Sequence, residues 1–236
     1  MTNKPIKALT FSYDDGVLQD KRLIDLFNKY GMKATFNINS ALLGKENTLI
    51  REGKTVKHDK IAPKDVKYVY QGHEVAGHTM HHPMLPEKSE KEIIKEVERD
   101  RLQLSELCGY EVVGFAYPGG GKNFDDRVSK IIKENTGAKY CRTIISNHSF
   151  KLQEDLYQFK PSVYHHGEWD ELFRLGEKFL ELNPSEPSVF YVWGHAYEFD
   201  IHDTWDRFES FLAMMAGKKD IAYLTNKEAL LTDWHH

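Results

Sequence analysis

The chain of 236 residues is 40% hydrophobic and 29% charged, with 32 basic against 36 acidic side chains and a net charge of −4. That balance excludes the basic footprint of a nucleic-acid binder, and no apolar run reaches the ~18 residues needed to cross a bilayer. Two cysteines, Cys108 and Cys141, are too few for a disulfide framework, whereas twelve histidines are a surplus that asks which of them do chemistry.

The opening Met1-Thr-Asn-Lys-Pro-Ile-Lys carries no apolar core of a secretion signal, so a cytoplasmic setting without a membrane partner is expected. Ile6–Tyr13 alternates apolar and polar residues and is predicted as a strand, followed by a helix over Asp20–Tyr30 and a strand over Lys33–Ile38. Ala41–Tyr70 lacks clean periodicity and carries much charge, which marks an insertion, either a long loop or a small hairpin. A short strand is predicted at Glu74–Thr79. The clearest helix runs from Ser89 to Cys108, with Ser89 and Glu92 spaced as a capping box and Ile93, Ile94, Val97, Leu102 and Leu104 on its apolar positions. Val112–Tyr117, Ala138–Ile144, Phe159–Tyr164, Val189–Trp193 and Ile221–Leu224 complete the strands. Asp125–Glu134, Trp169–Leu182 and Thr204–Met215 complete the helices. Alternation of this kind predicts βα units around a mostly parallel sheet, and seven or eight strands fit a barrel slightly smaller than a full (β/α)8 barrel. A single domain over 1–236 is expected, with 41–70 inserted in it.

Four clusters carry chemistry, each at the end of a predicted strand, where barrel enzymes build their sites. Asp14 and Asp15 close the first strand before Gly16; successive strand residues face opposite ways, so two adjacent carboxylates can take different roles. In Gly72-His73-Glu-Val-Ala-Gly-His78-Thr-Met-His81-His82, His78 and His82 stand four apart, which puts both on one face if the chain turns helically there. That is ligand spacing for a divalent metal, with His81 as a competitor and His73 in a supporting or structural place. Tyr117-Pro118-Gly119-Gly-Gly ends another strand and can present backbone N–H groups to an oxyanion. His195, after Trp193 and Gly194, ends the Val189–Trp193 strand with a side chain suited to general acid–base work. Together these supply a metal-activated water with separate base and acid, the equipment for hydrolysing an amide or ester. Tyr117, Trp169, Trp193, Tyr197 and Trp205 are candidates for stacking on a sugar ring.

The order Ser-Tyr-Asp14-Asp15-Gly, Gly-His78-Thr-Met-His-His82-Pro, Tyr117-Pro-Gly-Gly and Val-Trp193-Gly-His195 resembles the polysaccharide deacetylase family, the NodB-homology domain of carbohydrate esterase family four, from Ile6 to about Leu230. The resemblance implies an α/β fold, a distorted (β/α)7 barrel. It implies a metal-dependent hydrolase that removes an acetyl group from an N- or O-acetylated sugar or oligosaccharide. It also implies Asp14 as general base, Asp15, His78 and His82 as ligands of one divalent ion, the Gly119 N–H as oxyanion donor and His195 as general acid. Zinc is the first expectation for the ion, with cobalt, nickel, manganese or iron open to the same donors.

Two departures stand out. The family's third motif begins with an arginine that pairs with the base, and Ala116 occupies that place; Arg142, at the end of the Tyr140-Cys-Arg-Thr strand, is the candidate substitute, with Tyr117 and Trp193 as further support. The acid and tryptophan that flank the catalytic histidine in the family have only Trp169 and Asp170 as candidates. Two other readings stay open: a barrel that keeps metal and carbohydrate affinity without catalysis, favoured by Ala116, and a non-haem iron enzyme, since two histidines and one carboxylate also suit iron.

Overall fold

The computed structural model describes residues 6–234; the reading of the extreme N-terminus and the His235-His236 pair fall outside them. The first strand, β1 (Lys7–Asp14), is buried along its whole length. Its alternation sorts two faces. Leu9, Phe11 and Tyr13 join an apolar core with Phe27, Leu172, Phe199 and Phe208 from the surrounding helices. Thr10, Ser12 and Asp14 face the other way, into the curl of the sheet, where they meet polar side chains of other strands and of one helix.

In chain order β1 is followed by α1 (Asp20–Lys29), β2 (Thr35–Ile38), β3 (Thr48–Arg51), β4 (Lys54–Lys57), α2 (Val66–Val69), β5 (Glu74–Gly77), α3 (Glu90–Cys108), β6 (Gly114–Ala116), α4 (Asp126–Asn135) and β7 (Tyr140–Arg142). Then come β8 (Val163–Tyr164), α5 (Trp169–Glu181), β9 (Ser188–His195), α6 (Glu198–His202), α7 (Trp205–Met215), β10 (Ile221–Tyr223) and α8 (Asn226–Leu231). The main sheet runs β7-β6-β5-β2-β1-β9-β8, and β10 pairs with the start of β1. Each pairing in it is parallel. The two outer strands approach through Phe159, which bridges to Arg142 on β7 just ahead of β8. The result is the α/β architecture expected from the sequence, a curled parallel sheet of eight strands with helices packed outside it.

Polar groups hold the inside of the curl together. Thr35 and Tyr140 donate to the buried Glu74 carboxylate at 2.8 and 3.0 Å, and the backbone N–H of Lys227 donates to it at 2.8 Å. Asn226 donates to Thr10 at 2.8 Å and accepts from Tyr191 at 2.7 Å. The start of α8 thus plugs the N-terminal end of the sheet, where Glu74 meets the positive end of a helix. The capping box on α3 forms as the Ser89/Glu92 spacing predicts.

Three local expectations are corrected. Residues 78–82 form no helical turn: Thr79 and His82 both have positive φ, 67° and 59°, and that irregular loop, not a helix face, brings the two histidines together. Leu102 is exposed and is not part of the apolar stripe of α3; its inward positions are Ile93, Val97, Asp100, Leu104 and Cys108. The predicted strand over Phe159–Tyr164 shrinks to the two residues of β8.

The segment 41–70 contains the antiparallel β3–β4 hairpin, paired from Thr48↔Lys57 to Arg51↔Lys54. Its two-residue turn, Glu52-Gly53, has φ of 53° and 75°, the left-handed pair that matches strand twist in tight hairpins. The hairpin lies against the C-terminal end of the barrel: Lys54 donates to the Ile201 carbonyl at 2.8 Å and Arg51 Nη1 to the Tyr197 hydroxyl at 2.8 Å.

Candidate active site

Parallel pairing sets the site. Register places Asp14 opposite Asn37 on β2 and opposite His195 on β9, all at strand C-termini. A cavity of about 600 Å³ opens there, lined by Asp14, Asp15, His78, His82, Gly119 and His195 among others.

Asp14 faces inward with 2% of its side chain exposed. One carboxylate oxygen accepts from Asn37 Nδ2 at 2.8 Å, and the other meets the Arg142 guanidinium. Arg142 is fully buried and lies 4.4 Å from the Trp193 ring centre, an aromatic face that suits a cation. Arg142 on β7 is thus the cation beside Asp14, while Ala116, its register partner on β6, contributes only its carbonyl to the site.

Asp15 leaves the strand at φ 84°, so the two adjacent carboxylates part. His58 Nε2 stands 3.1 Å from one of its oxygens, and Lys60 Nζ stands 3.6 Å from the other while donating to the Asp15 carbonyl at 2.7 Å. Burial by itself would raise this carboxyl, but Lys60 and His58 outweigh it and hold it well below the usual range. His78 Nδ1 sits 2.8 Å from the Ala116 carbonyl, which fixes the tautomer with Nδ1 protonated and leaves Nε2 as a lone-pair donor. Burial pushes its pKa down to about 4, and burial likewise lowers that of His82, so both rings are neutral near pH 7. Thr79 accepts the His82 backbone N–H at 3.0 Å and bridges back to the His78 carbonyl, which closes the loop between them. Asp15, His78 and His82 each present a donor atom within 4.8 Å of the others. Two neutral imidazoles and one ionised carboxylate, one ring oriented by a backbone carbonyl, fit a divalent transition ion.

His195 is held by Glu198, three residues on. The Glu198 carboxylate accepts the His195 backbone N–H at 3.0 Å and lies 3.1 Å from Nδ1, near enough to ion-pair though off line for a hydrogen bond. Burial lowers the His195 pKa, but Glu198 overcomes it and the net shift is upward. Burial also opposes ionisation of Glu198, yet His195, His165 and the Tyr164 hydroxyl bring it down to about 2. Gly194 is required by crowding: a Cβ there would stand 1.8 Å from the His165 ring.

Gly119 lines the same cavity at φ 83°, and Asn123 braces its loop by donating to the carbonyls of Tyr117 and Gly119, each at 3.1 Å. Tyr117, Trp193 and Tyr197 also line it. Trp205 does not; it is buried against Phe199 and stacked by Arg22. Asp170 is fully exposed and pairs with Arg207, and Trp169 packs on His165 and Phe199, so neither flanks His195. His73 binds the Ala34 N–H at 3.1 Å between α1 and β2, and the exposed His81 pairs with Glu96 at 2.8 Å.

Several residues at the site carried no legible signal. Glu198 sits in Gly-His195-Ala-Tyr-Glu198, and only its i+3 spacing hinted at it. Asn37, His58, Lys60 and Arg51 come from other segments. Asp100 is the buried polar position of α3; it accepts the Ser40 N–H at 2.7 Å and the His78 N–H at 2.9 Å, which anchors the start of the histidine loop.

An inward carboxylate beside a cation, the three potential donors Asp15, His78 and His82, and a histidine–carboxylate pair surround one cavity at strand C-termini. The polysaccharide deacetylase family model matches residues 2–140. The chain belongs to that family. Comparison with curated protein sequences gives no match. Among solved structures, a mutant of a Bacillus anthracis CE4 family pseudoenzyme with restored enzymatic activity aligns over 98% of this chain and 69% of its own, at 16% identity and a TM-score of 0.58. A T48 deacetylase with substrate aligns over 95% and 91%, at 15% identity and 0.57. A family 4 carbohydrate esterase from Streptomyces lividans in complex with acetate aligns over 92% and 91%, at 13% identity and 0.55. At such identities the likeness shows the fold, a polysaccharide-deacetylase type of barrel. Among the described residues no helix is long and apolar enough to cross a membrane.

Proposed function

We propose that this protein is a metal-dependent deacetylase that hydrolyses the acetyl group of an N- or O-acetylated sugar or short oligosaccharide. The observation that carries this reading is the convergence of Asp14 with Arg142, of Asp15 with His78 and His82, and of His195 with Glu198 on one cavity.

Asp15, His78 and His82 would hold a divalent ion, zinc by preference, which would supply Lewis acidity toward water and the acetyl carbonyl. Asp14 takes the proton from the attacking water; Asn37 and Arg142 hold its carboxylate in place. The Gly119 N–H serves the oxygen on which negative charge develops. His195 gives a proton to the departing nitrogen or oxygen, and Glu198 orients its ring and stabilises its charged form. The walls of Tyr164, Trp193 and Tyr197, closed over by Arg51 of the hairpin, suit one or two sugar rings better than an open polymer groove.

Acetate release from a panel of N- and O-acetylated mono- and oligosaccharides, with and without a chelator, tests the reading. Release that a chelator stops and added metal restores is expected. No release from any member by the metal-loaded protein, with sugars still bound, would instead favour a barrel that keeps metal and carbohydrate affinity without catalysis.

A further inference from the structure

A second group of metal-type donors lies outside the cavity. Glu52 occupies the turn of the β3–β4 hairpin, His166 the segment between β8 and α5, and His202 the last residue of α6. The two imidazoles converge on one carboxylate: His166 Nε2 stands 2.8 Å from Oε1 and His202 Nε2 2.7 Å from Oε2. Their ring centres are 5.2 Å apart and the planes tilt by 32°. One donor atom from each of the three residues falls within 4.8 Å of the others. The steps of the proposed reaction use none of them.

We propose that Glu52, His166 and His202 bind a second divalent transition ion, which fastens the tip of the hairpin to the barrel. The donor chemistry suits zinc, or cobalt as its spectroscopic substitute: two imidazole nitrogens and a carboxylate oxygen, with a fourth position left for water. The hydrogen bonds from His166 and then from His202 hold the Glu52 carboxyl below its usual range, so it is an anionic donor at neutral pH. Metal bonds of ~2.0–2.1 Å at a tetrahedral angle set donors about 3.3 Å apart. The donor atoms, now within 4.8 Å of one another, reach that spacing by small side-chain rotations when an ion replaces the shared protons. Side chains at a hairpin tip can move that far. His166, His202 and Glu52 are 11%, 34% and 47% exposed, so an ion reaches them from solvent without unfolding anything.

The consequence runs along the hairpin. Arg51, the residue before Glu52, donates to Tyr197 at 2.8 Å and to Tyr164 at 3.1 Å, and stands 3.1 Å from the Glu198 carboxylate that holds His195. An ion at the tip joins three separate segments and so orders the cavity wall that Arg51 completes. The deep Asp15, His78, His82 cluster has no part in this fastening, so the two sites can be emptied separately.

The test counts metal. Wild-type chain, His78→Ala/His82→Ala and His166→Gln/His202→Gln are equilibrated with zinc buffered at micromolar free concentration. Bound zinc is measured per chain, and hydrogen exchange of residues 48–57 is followed with and without zinc. The deep-site variant is expected to keep one equivalent and to show zinc-dependent protection of 48–57. The His166→Gln/His202→Gln variant is expected to bind one equivalent fewer than wild type and to lose that protection, while circular dichroism shows it folded. Cobalt bound to the deep-site variant should give the visible absorption of a low-symmetry, four-coordinate ion. If the deep-site variant binds no zinc, or if His166→Gln/His202→Gln leaves both stoichiometry and exchange at 48–57 unchanged, the proposal is overturned and the three residues form only a hydrogen-bonded clasp. Failure of the deep site alone would remove zinc that His166→Gln/His202→Gln cannot account for, which separates this result from the fate of the proposed hydrolase.

Discussion

Arg142 meets Asp14 although 128 residues of chain separate them, and both side chains are out of water. Such a pair is held by geometry: parallel pairing carries β7 and β1 to the same end of the sheet, and the Trp193 ring closes over the guanidinium. Breaking a buried pair strands the surviving charge, at a cost of about 3–5 kcal/mol. Arg142→Met should therefore lower unfolding free energy by about that much in urea titrations. The Asp14→Asn/Arg142→Met double variant should lose less than the sum of its parts, because neither charge is then orphaned. Additive losses would show that the two groups do not depend on each other.

Asp14 and His82 should separate chemistry from metal. Asp14→Asn should abolish acetate release yet still bind metal at the deep site, since Asp14 is not one of the three donors. His82→Ala should lose both. Asp100→Asn is predicted to weaken metal binding by up to about 10-fold, the low end of the range for groups that support a ligand, because Asp100 accepts the backbone N–H of His78 at 2.9 Å and so anchors the loop rather than the ring. Metal titration by calorimetry reads all three. Asp14→Asn with wild-type turnover would remove Asp14 from the base role.

Glu198→Gln tests the acid. A general acid works while protonated, so activity falls as pH rises through its pKa. Burial pulls the His195 pKa down and Glu198 lifts it above the ordinary histidine value. Without the carboxylate's charge the lift is lost, and the alkaline limb of kcat/KM should move to lower pH. An unmoved alkaline limb would assign that limb to another group.

The parts of this molecule that repeat a period were legible, and the parts built from single distant contacts were not. Ser89 and Glu92 announce the start of α3 because a capping box is local chemistry. The alternation of Ile6–Tyr13 announces β1, because one face must meet the helices. Their spacing marks His78 and His82 as a pair, but a helical turn is not what joins them. Two left-handed residues do the work, and positive φ at Thr79 and His82 has no signature when the residue is not glycine. Glu52 in the turn leaves a hairpin as only one of two readings of 41–70, since Asn-Gly would have marked it and Glu-Gly does not. Glu198 and Asp100 were missed as acids on helices, because their burial depends on the packing of other segments. Ala116 pointed to a missing cation, but only the register of β6 with β7 shows how Arg142 stands beside the empty place.

His73 sets a pH dependence of stability that has nothing to do with catalysis. Its Nδ1 accepts the Ala34 N–H at 3.1 Å and its Nε2 faces the Asn28 side-chain oxygen at 3.3 Å, an arrangement that only the neutral ring with Nε2 protonated can satisfy. Burial, with a smaller push from Lys33, lowers its pKa to about 4 in the folded chain, against about 6.5 when unfolded. Between those values the unfolded chain binds more protons, so unfolding free energy falls as pH drops from about 6.5 toward 4. The slope from this one group reaches at most about 1.4 kcal/mol per pH unit, and the contribution is complete above about 6.5. His73→Asn keeps an acceptor for the Ala34 N–H and cannot take up the proton. Its stability at neutral pH should drop through lost packing against Phe27 and Phe36. The fall between pH 6.5 and 4 should nevertheless be shallower than in the wild type. Urea titrations of both proteins at several pH values across that window give the two slopes, and parallel slopes would mean that His73 is not the group that titrates.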